Sequence, residues 1–344
     1  MTVPNPNPRV ALPTFGEDLL RGLPADLLEM PAVLTQPEPW ELVKTQLASA
    51  GDRVHLVRTM EHSHVREVCT RFEGASAIFG VGGGSALDHA KYAAWLLDLP
   101  LVLVPTILSV DAAFTRAIGV REGARVRYVG EVVPDYLLVD YSLLRAAPPL
   151  LNRAGVGDIL SIFTAIWDWR VAADRFHEAF WPEVAASSDA LLERLLAGAD
   201  DLRDVTREGL RLLAELYVGE VRLCDMVGSS RPEEGSEHYL AYCLESMTGR
   251  SYLHGQLVSL CVVLVGVLQG QDVSPVTAFL ERVGLDWHPE AVGVSREELL
   301  SALCHARSYV RQEAQLLPGV FHFRESLSRS EAEELLAKVL GDRR

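Results

Sequence analysis

A glycine-rich turn is the first stretch of the chain that could do chemistry. Glycines occupy four of the five positions from 80 to 84, directly after the apolar run Ala77-Ile78-Phe79. The pattern predicts a buried strand, a tight turn and a helix that Ser85 caps. Backbone N–H groups at the start of a helix bind phosphate, because the positive end of the helix dipole lies there. The turn is therefore a candidate phosphate site, although Ser85 stands where a G-x-G-x-x-G pattern has its last glycine. A structural turn without a ligand is the open alternative.

A second set of chemical residues lies in the later half of the chain. Asp158 follows Gly155-Val156-Gly157 at a predicted helix start, His238 ends the segment from Ser230, and His254 opens an apolar helix. A carboxylate with two imidazoles is a common ligand set for zinc or another divalent metal, and it leaves one coordination position for a substrate. Spacing alone leaves open that each histidine is a hydrogen-bonded structural residue.

The elements that position the glycine turn alternate between strand and helix. Strands are predicted at 32–35, 54–57, 77–79, 101–104, 126–129 and 136–140, with helices at 40–50, 64–72 and after the turn. Short connections between alternating elements predict a mainly parallel sheet that is covered on both faces. Ligands bind beyond the carboxyl ends of strands in such sheets. The glycine turn and the segment from Pro105 to Asp111 both follow strands in this way.

The second half of the chain has a different pattern. From Pro148 onward, strand-like runs disappear and long helical patterns replace them, as in 183–197, 205–227 and 296–315. The sequence therefore predicts an α/β domain over residues 1–148 and an all-α domain over residues 149–344.

Composition limits the class of partner and the compartment. The formal net charge of −15 over 344 residues argues against a nucleic-acid partner, which needs clustered lysine and arginine. Five scattered cysteines without a C-x-x-C motif are typical of a reduced, cytoplasmic chain. The longest apolar run, Leu257 to Leu268, is shorter than the ~20 residues of a membrane span, so no membrane partner is expected.

The candidate residues occur in a recognisable order along the chain. The series is Gly80–Gly84 with Asp88 and Lys91, then Pro105-Thr106 with Ser109 and Asp111, then Gly155–Asp158, then Ser230-Arg231-Pro232 with Gly235, Glu237 and His238, and finally Leu253-His254-Gly255. This series resembles the glycerol-1-phosphate dehydrogenase branch of the iron-containing alcohol dehydrogenase and dehydroquinate synthase superfamily. The resemblance implies a Rossmann-like nucleotide-binding domain followed by a helical domain, in a dehydroquinate synthase-like architecture with the active site between them.

The resemblance also implies a role for each matching residue. Asp158, His238 and His254 match metal ligands, which usually hold zinc in this branch. Gly82, Gly83 and Gly84 match the turn that binds the pyrophosphate of NAD or NADP, with Asp88 and Lys91 in the helix after it. Thr106 and Ser109 match residues near the nicotinamide and its ribose. The expected catalytic residues are Asp111, which would reach the substrate, and His254.

The function implied by the resemblance is hydride transfer between a nicotinamide cofactor and a small polyol or ketone, or its phosphate. One alternative is a sugar-phosphate cyclase of the dehydroquinate synthase kind, a lyase that uses NAD transiently. Another is a nucleotide-binding family member that has lost the original activity. A homodimer is the expected assembly on general grounds.

Four residues depart from the pattern of the branch. Ile162 stands where a lysine is usual near the substrate, and Val110 and Ala112 replace an asparagine and a glycine. Gln36 follows the first predicted strand, where many relatives carry an acid for the adenosine ribose. The first three changes make the expected pocket more apolar, so the sequence leaves open whether the substrate carries a phosphate. It also leaves open whether the cofactor is NAD or NADP.

Overall fold

The computed structural model describes residues 12–123, 125–313 and 316–341. They divide into two compact units. Residues 12–152 together with 205–221 form the first, called here the sheet unit. Residues 153–204 together with 222–341 form the second, called here the helical unit. The division thus follows Asn152, and a segment of the later half belongs with the sheet.

A parallel six-stranded sheet forms the centre of the sheet unit. The strands are β1 Pro13–Gly16, β2 Ala32–Thr35, β3 Val54–Leu56, β4 Ile78–Gly82, β5 Leu101–Pro105 and β8 Tyr136–Asp140. They lie in the order β1-β8-β5-β4-β2-β3, and every pairing is parallel. A separate antiparallel pair is formed by β6 Ala117–Glu122 and β7 Arg125–Glu131. The predicted α/β architecture is confirmed.

The inner strands β2, β4 and β5 have mainly apolar sequences because they are buried. Every residue of β2, β4 and β5 is buried, because both faces of the sheet are covered. The α-helices of this unit are α1 Pro37–Val43, α2 His62–Cys69, α3 Gly84–Leu97, α4 Tyr141–Ala146, most of α5 Pro149–Arg153 and the first part of α10 Arg207–Val227. In α3, eight residues from Ala86 to Ala94 are buried, and these include His89 and Lys91.

Helices make up the regular structure of the helical unit in the described residues. They are α6 Val156–Leu160, α7 Ile162–Phe176, α8 Pro182–Ala197, α9 Ala199–Arg203, the end of α10, α11 Ser236–Thr248, α12 His254–Leu268, α13 Ser274–Val283, α14 Pro289–Val292, α15 Arg296–Gln312, α16 Val320–Phe323 and α17 Arg329–Leu340. The most apolar, α12, is buried from Gly255 to Gly266. The all-α character of this half is confirmed. The described chain contains no helix with both the length and the apolar character that crossing a membrane requires.

Two strands, β1 and β6, have no clear strand pattern in the sequence. β1 contains only one strongly apolar residue, Phe15, and it forms as an edge strand because β8 supplies its hydrogen-bonding partner. β6 contains Gly119 inside an otherwise strand-like run, and the register against β7 shifts between Ala117 and Gly119. The formation of both strands therefore depends on pairing with β8 or β7 rather than on an apolar pattern in their own residues.

Candidate metal centre and phosphate-binding turn

Asp158, His238 and His254 converge in the helical unit. Each offers one ligand atom, and these three atoms lie within 4.8 Å of one another. His254 Nε2 is 3.4 Å from Asp158 Oδ1, and the two imidazole centroids are 5.3 Å apart. Two ligand atoms bound to zinc at ~2.0–2.1 Å with tetrahedral angles are ~3.4 Å apart, so this spacing suits a divalent metal. No other group of three His, Cys, Asp or Glu side chains in the described residues meets the same spacing.

A contact between two glycines brings two of these ligands together. A Cβ atom on Gly157 would lie 1.9 Å from the carbonyl oxygen of Gly255. A Cβ atom on Gly255 would lie 1.9 Å from the carbonyl oxygen of Ala154. Only glycine allows the backbones of α6 and α12 to approach this closely. Because each glycine is adjacent in sequence to a ligand, the contact places Asp158 beside His254.

The third ligand is oriented by its neighbour in sequence. The Nδ1 atom of His238 lies 3.0 Å from Oε1 of Glu237, which is fully buried. That carboxylate also accepts hydrogen bonds from the Gly235 backbone N–H and the Thr164 hydroxyl, both at 2.6 Å. A carboxylate accepts only, so Nδ1 of His238 is the donor and Nε2 is left free to bind a metal.

The charges around His238 favour a cation at this centre. Burial lowers the pKa of His238, but the hydrogen bond and charge of Glu237, with the charges of Glu234 and Asp158, outweigh it and raise the pKa to about 9. Without a metal, the imidazole is therefore charged at neutral pH. A divalent ion can replace this positive charge when it displaces the proton from Nε2.

A second buried carboxylate holds the start of α11. Asp168 accepts hydrogen bonds from the backbone N–H and the hydroxyl of Ser236, at 2.8 and 2.5 Å. It also accepts from the Gln269 side chain at 3.0 Å and from the Val320 N–H at 2.9 Å. Burial raises the pKa of Asp168 to about 7, although the hydrogen bonds from Ser236 oppose that rise. Asp168 was not among the predicted site residues, although a charged residue between two tryptophans in a largely apolar helix indicates a buried polar role.

The glycine turn joins β4 to α3 in the sheet unit. Gly82 has φ +148°, which L side chains rarely adopt, and Gly83 is the residue before the helix. A Cβ atom on Gly80 would lie 2.7 Å from the Cβ of Ala90, so the helix is pressed against the strand. The prediction that Ser85 caps the helix is wrong, because α3 begins at Gly84 and Ser85 lies inside its first turn.

Thr106 and Ser109 follow the neighbouring strand β5. The Thr106 N–H donates to the carbonyl of Gly82 at 3.0 Å, and both predicted residues are buried. The loop between them is fixed at Leu108, whose N–H donates to Asn152 at 2.9 Å and whose carbonyl accepts from the Tyr217 hydroxyl at 3.2 Å. Neither Asn152 nor Tyr217 was among the predicted site residues. Tyr217 is also part of the segment 205–221 that the predicted boundary at 148 had placed in the helical domain.

Comparisons with known proteins agree with this architecture. The sequence profile of the iron-containing alcohol dehydrogenase family matches residues 34–148. The chain is 28% identical over 270 residues to glycerol-1-phosphate dehydrogenase (NAD(P)+) of Methanosarcina acetivorans, covering 77% of this chain and 76% of that protein. It is 34% identical over 271 residues to the enzyme of the same name from Hyperthermus butylicus, covering 77% and 74%. The chain belongs to the glycerol-1-phosphate dehydrogenase family.

Solved structures support the fold of this glycerol-1-phosphate dehydrogenase family member. A probable glycerol dehydrogenase from Sinorhizobium meliloti superposes with a TM-score of 0.72 at 18% identity, covering 97% of this chain and 98% of that one. An iron-containing alcohol dehydrogenase from Corynebacterium glutamicum gives 0.71 at 15% identity, covering 99% and 98%. The predicted resemblance, the oxidoreductase class and the use of NAD(P) with a divalent metal are confirmed at the level of the family.

Lys91, a predicted cofactor-binding residue, has its ammonium held by neighbouring protein groups. Its ammonium is fully buried, lies 2.7 Å from the Asp88 carboxylate, and donates to the carbonyls of Thr115 at 3.3 Å and Ala117 at 2.5 Å. An ammonium has three N–H donors, and these three contacts match that number. Lys91 and Asp88 thus tie α3 to the start of β6. The cofactor role of Lys91 stays a prediction.

Asp111, Val110 and Ala112 lie in the sheet unit, and Ile162 lies in the helical unit. Asp111 begins a short 3-10 turn in the sheet unit and is not a member of the three-ligand group. Its catalytic role stays a prediction. Val110 and Ala112 lie against the start of α3, since a Cβ atom on Gly84 would be 3.1 and 3.5 Å from their side chains. Ile162 is fully buried at the start of α7.

Proposed function

We propose that this chain is a metal-dependent, NAD(P)-linked dehydrogenase that interconverts glycerol 1-phosphate and dihydroxyacetone phosphate. The observation that carries the proposal is the convergence of Asp158, His238 and His254 in a member of the glycerol-1-phosphate dehydrogenase family. The relatives named above are dehydrogenases, which favours this reaction over the cyclase alternative. A complete ligand set also argues against a member that only binds nucleotide, because grouping these polar side chains in a largely buried site is costly without a bound cation.

The residues of the helical unit would hold and orient the metal. Asp158, His238 and His254 supply one carboxylate and two imidazole ligands, and zinc is the predicted metal. A divalent metal at this position supplies Lewis acidity toward a carbonyl or hydroxyl oxygen. Glu237 keeps the His238 proton on Nδ1, so that Nε2 would be available to bind the metal. The carboxylate of Asp158 lowers the net positive charge of the centre.

The residues of the sheet unit would bind the cofactor, which supplies the hydride. The absence of side chains at Gly82, Gly83 and Gly84 allows a pyrophosphate to approach the backbone at the start of α3. Thr106 and Ser109, on the loop that Asn152 and Tyr217 anchor, would position the nicotinamide half. Asp111 follows on the same loop and would orient the substrate.

A second substrate class is favoured by the apolar residues at two positions. Ile162 and Val110 offer neither charge nor hydrogen bond where the branch has a lysine and an asparagine. A substrate phosphate would lose one natural partner at Ile162. An unphosphorylated polyol such as glycerol is therefore the second candidate, and the ratio of kcat/KM for the two substrates decides between them.

The direct test combines metal content with turnover. The wild-type protein should contain close to one zinc per chain by elemental analysis and should oxidise NADH or NADPH when dihydroxyacetone phosphate is added. Asp158→Asn and His254→Ala should lose both properties, whereas His305→Ala, which changes an exposed histidine, should keep them. A wild-type protein that takes up no metal after reconstitution would refute the proposal. The homodimer and the cytoplasmic location also stay predictions.

A further inference from the structure

Gln36 lies against the glycine turn at the edge of the sheet where the cofactor would bind. Thr35, the last residue of β2, pairs with Val81 of β4 on one side and with Leu56 of β3 on the other. The side-chain oxygen of Gln36 accepts a hydrogen bond from the Gly83 N–H at 3.4 Å. A Cβ atom on Gly82 would lie only 1.9 Å from that oxygen. The Gln36 amide is therefore one strand away from the turn and in contact with it.

The residue at this position in a dinucleotide-binding fold contacts the 2′ position of the adenosine ribose. In such folds, an acid at the end of the strand beside the glycine turn binds the ribose 2′-hydroxyl of NAD. An arginine near that place accommodates the additional phosphate of NADP. Because Gln36 is neutral, it would not repel a phosphate on the ribose, and its amide N–H groups could donate to one.

An arginine lies at the end of the next strand. Arg58 follows β3, which ends at Leu56 and pairs in parallel with β2, so both strands end at the same edge of the sheet. The Val57 N–H donates to the Thr35 carbonyl at 2.8 Å, which continues the pairing up to this point. The Arg58 side chain is exposed, and no ion pair joins it to another described residue. A guanidinium binds phosphate oxygens through two parallel hydrogen bonds.

We propose that Gln36 and Arg58 form the subsite for an adenosine 2′-phosphate, so that this chain prefers NADP(H) to NAD(H). The inference rests on the proposed function, because it names the cofactor of that same site. An acid at position 36 would repel the 2′-phosphate, whereas the neutral Gln36 would not. Arg58 would attract the 2′-phosphate through its positive charge. The preference would reside in binding of the nucleotide and would not involve the metal centre.

The test measures the dissociation constants of NADPH and NADH by titration calorimetry on the full chain. Wild-type protein should bind NADPH roughly ten- to a hundredfold more tightly than NADH, since hydrogen bonds to charged groups are worth that much. Arg58→Ala should weaken NADPH binding by a similar factor and leave NADH binding unchanged. Gln36→Asp should weaken NADPH and strengthen NADH. Arg53→Ala is the matched control, because Arg53 precedes β3 at the opposite edge of the sheet.

The outcomes separate this inference from the proposed function. Equal affinity for the two nucleotides, with no effect of Arg58→Ala, would overturn the subsite and leave the dehydrogenase intact. Binding of neither nucleotide by a folded wild-type protein would refute the cofactor part of the proposed function as well. Circular dichroism melting of each variant shows whether a lost affinity reflects lost structure. If folded Arg58→Ala bound both nucleotides more weakly, the inference would also be overturned. Arg58 would then contact a portion of the nucleotide that NADH and NADPH share.

Discussion

Glu237 and His238 are consecutive residues whose side chains meet, with 3.0 Å between Oε1 and Nδ1. Neighbouring side chains on a helix normally point in different directions. This contact forms at the first turn of α11, where Glu237 turns back to accept a hydrogen bond from the Gly235 N–H. The same carboxylate accepts from Thr164 of α7. The backbone before the helix and a second helix therefore jointly fix the direction of a metal ligand.

We expect Glu237→Gln to weaken metal binding by roughly ten- to a hundredfold, as loss of such supporting carboxylates does elsewhere. The amide keeps the shape but removes the charge that favours a cation. Zinc affinity, measured by competition with a chelator, checks this result. Glu234→Gln is the control, because the charge of Glu234 acts on His238 without a hydrogen bond to it in the described structure. An equal loss in both variants would show that charge alone matters and would contradict a positioning role.

We expect Gly255→Ala to lower both thermal stability and metal content. The added Cβ would lie 1.9 Å from the carbonyl oxygen of Ala154, so the segment that leads into α6 must move away from the start of α12. Overpacking of this kind typically costs about 1–3 kcal/mol. The shift would also move His254 away from Asp158. Gly22→Ala, where nothing lies within 4 Å of the new atom, should leave melting temperature and zinc content unchanged. A fully metallated Gly255→Ala protein with unchanged stability would contradict this account.

The fold class and the candidate site residues could be predicted from the sequence, because both produce local patterns of residues. Apolar runs of strand length mark β2, β4 and β5, and glycines mark the turn at 80–84. What the sequence could not supply are contacts between distant residues. The approach of Gly157 to Gly255 joins positions about a hundred residues apart, and no local pattern records it. The anchoring of Leu108 by Tyr217 is also of this kind, since an amphipathic helix does not reveal which unit it covers.

The contacts of Lys91 could not be predicted for the same reason. Asp88 and Lys91 are visible in the sequence as an i, i+3 pair on a helix. Whether the pair faces a ligand or the protein interior depends on β6, a strand that the sequence analysis did not detect. The carbonyls of Thr115 and Ala117 become the partners of Lys91 only when the chain around β6 packs on α3.

We expect Lys91→Met to destabilise the protein by about 3 kcal/mol, because removing the buried ammonium leaves the partly buried Asp88 carboxylate without its counter-charge. Two backbone carbonyls would lose their donor as well. Urea denaturation checks the loss of stability, and nucleotide affinity of the folded variant should change little. Lys44→Met is the control, since Lys44 and Glu41 form an exposed pair of small energetic value. A variant of normal stability that fails to bind nucleotide would contradict this structural role and would support the predicted contact of Lys91 with the cofactor.

The last prediction concerns the dependence of stability on pH in the sheet unit. His89 is fully buried in α3, and its ring centroid lies 5.3 Å from that of His55. Burial, with smaller effects of His55 and His64, lowers the pKa of His89 to about 3. The unfolded chain binds this proton below pH ~6.5, whereas the folded chain stays neutral. The folded state therefore loses stability as pH falls from 6.5 toward 3, at up to ~1.4 kcal/mol per pH unit.

We expect His89→Phe to remove this contribution. Between pH 6.5 and 4.5, the variant should lose about 2–3 kcal/mol less stability than the wild type, because phenylalanine has no proton to bind in the unfolded chain. Urea denaturation at several pH values in this range gives the two profiles. His305→Phe, at an exposed position, should follow the wild-type profile. If the His89→Phe profile runs parallel to that of the wild type, then His89 binds its proton equally in the folded and unfolded chain, and its burial does not govern the acid sensitivity of the sheet unit.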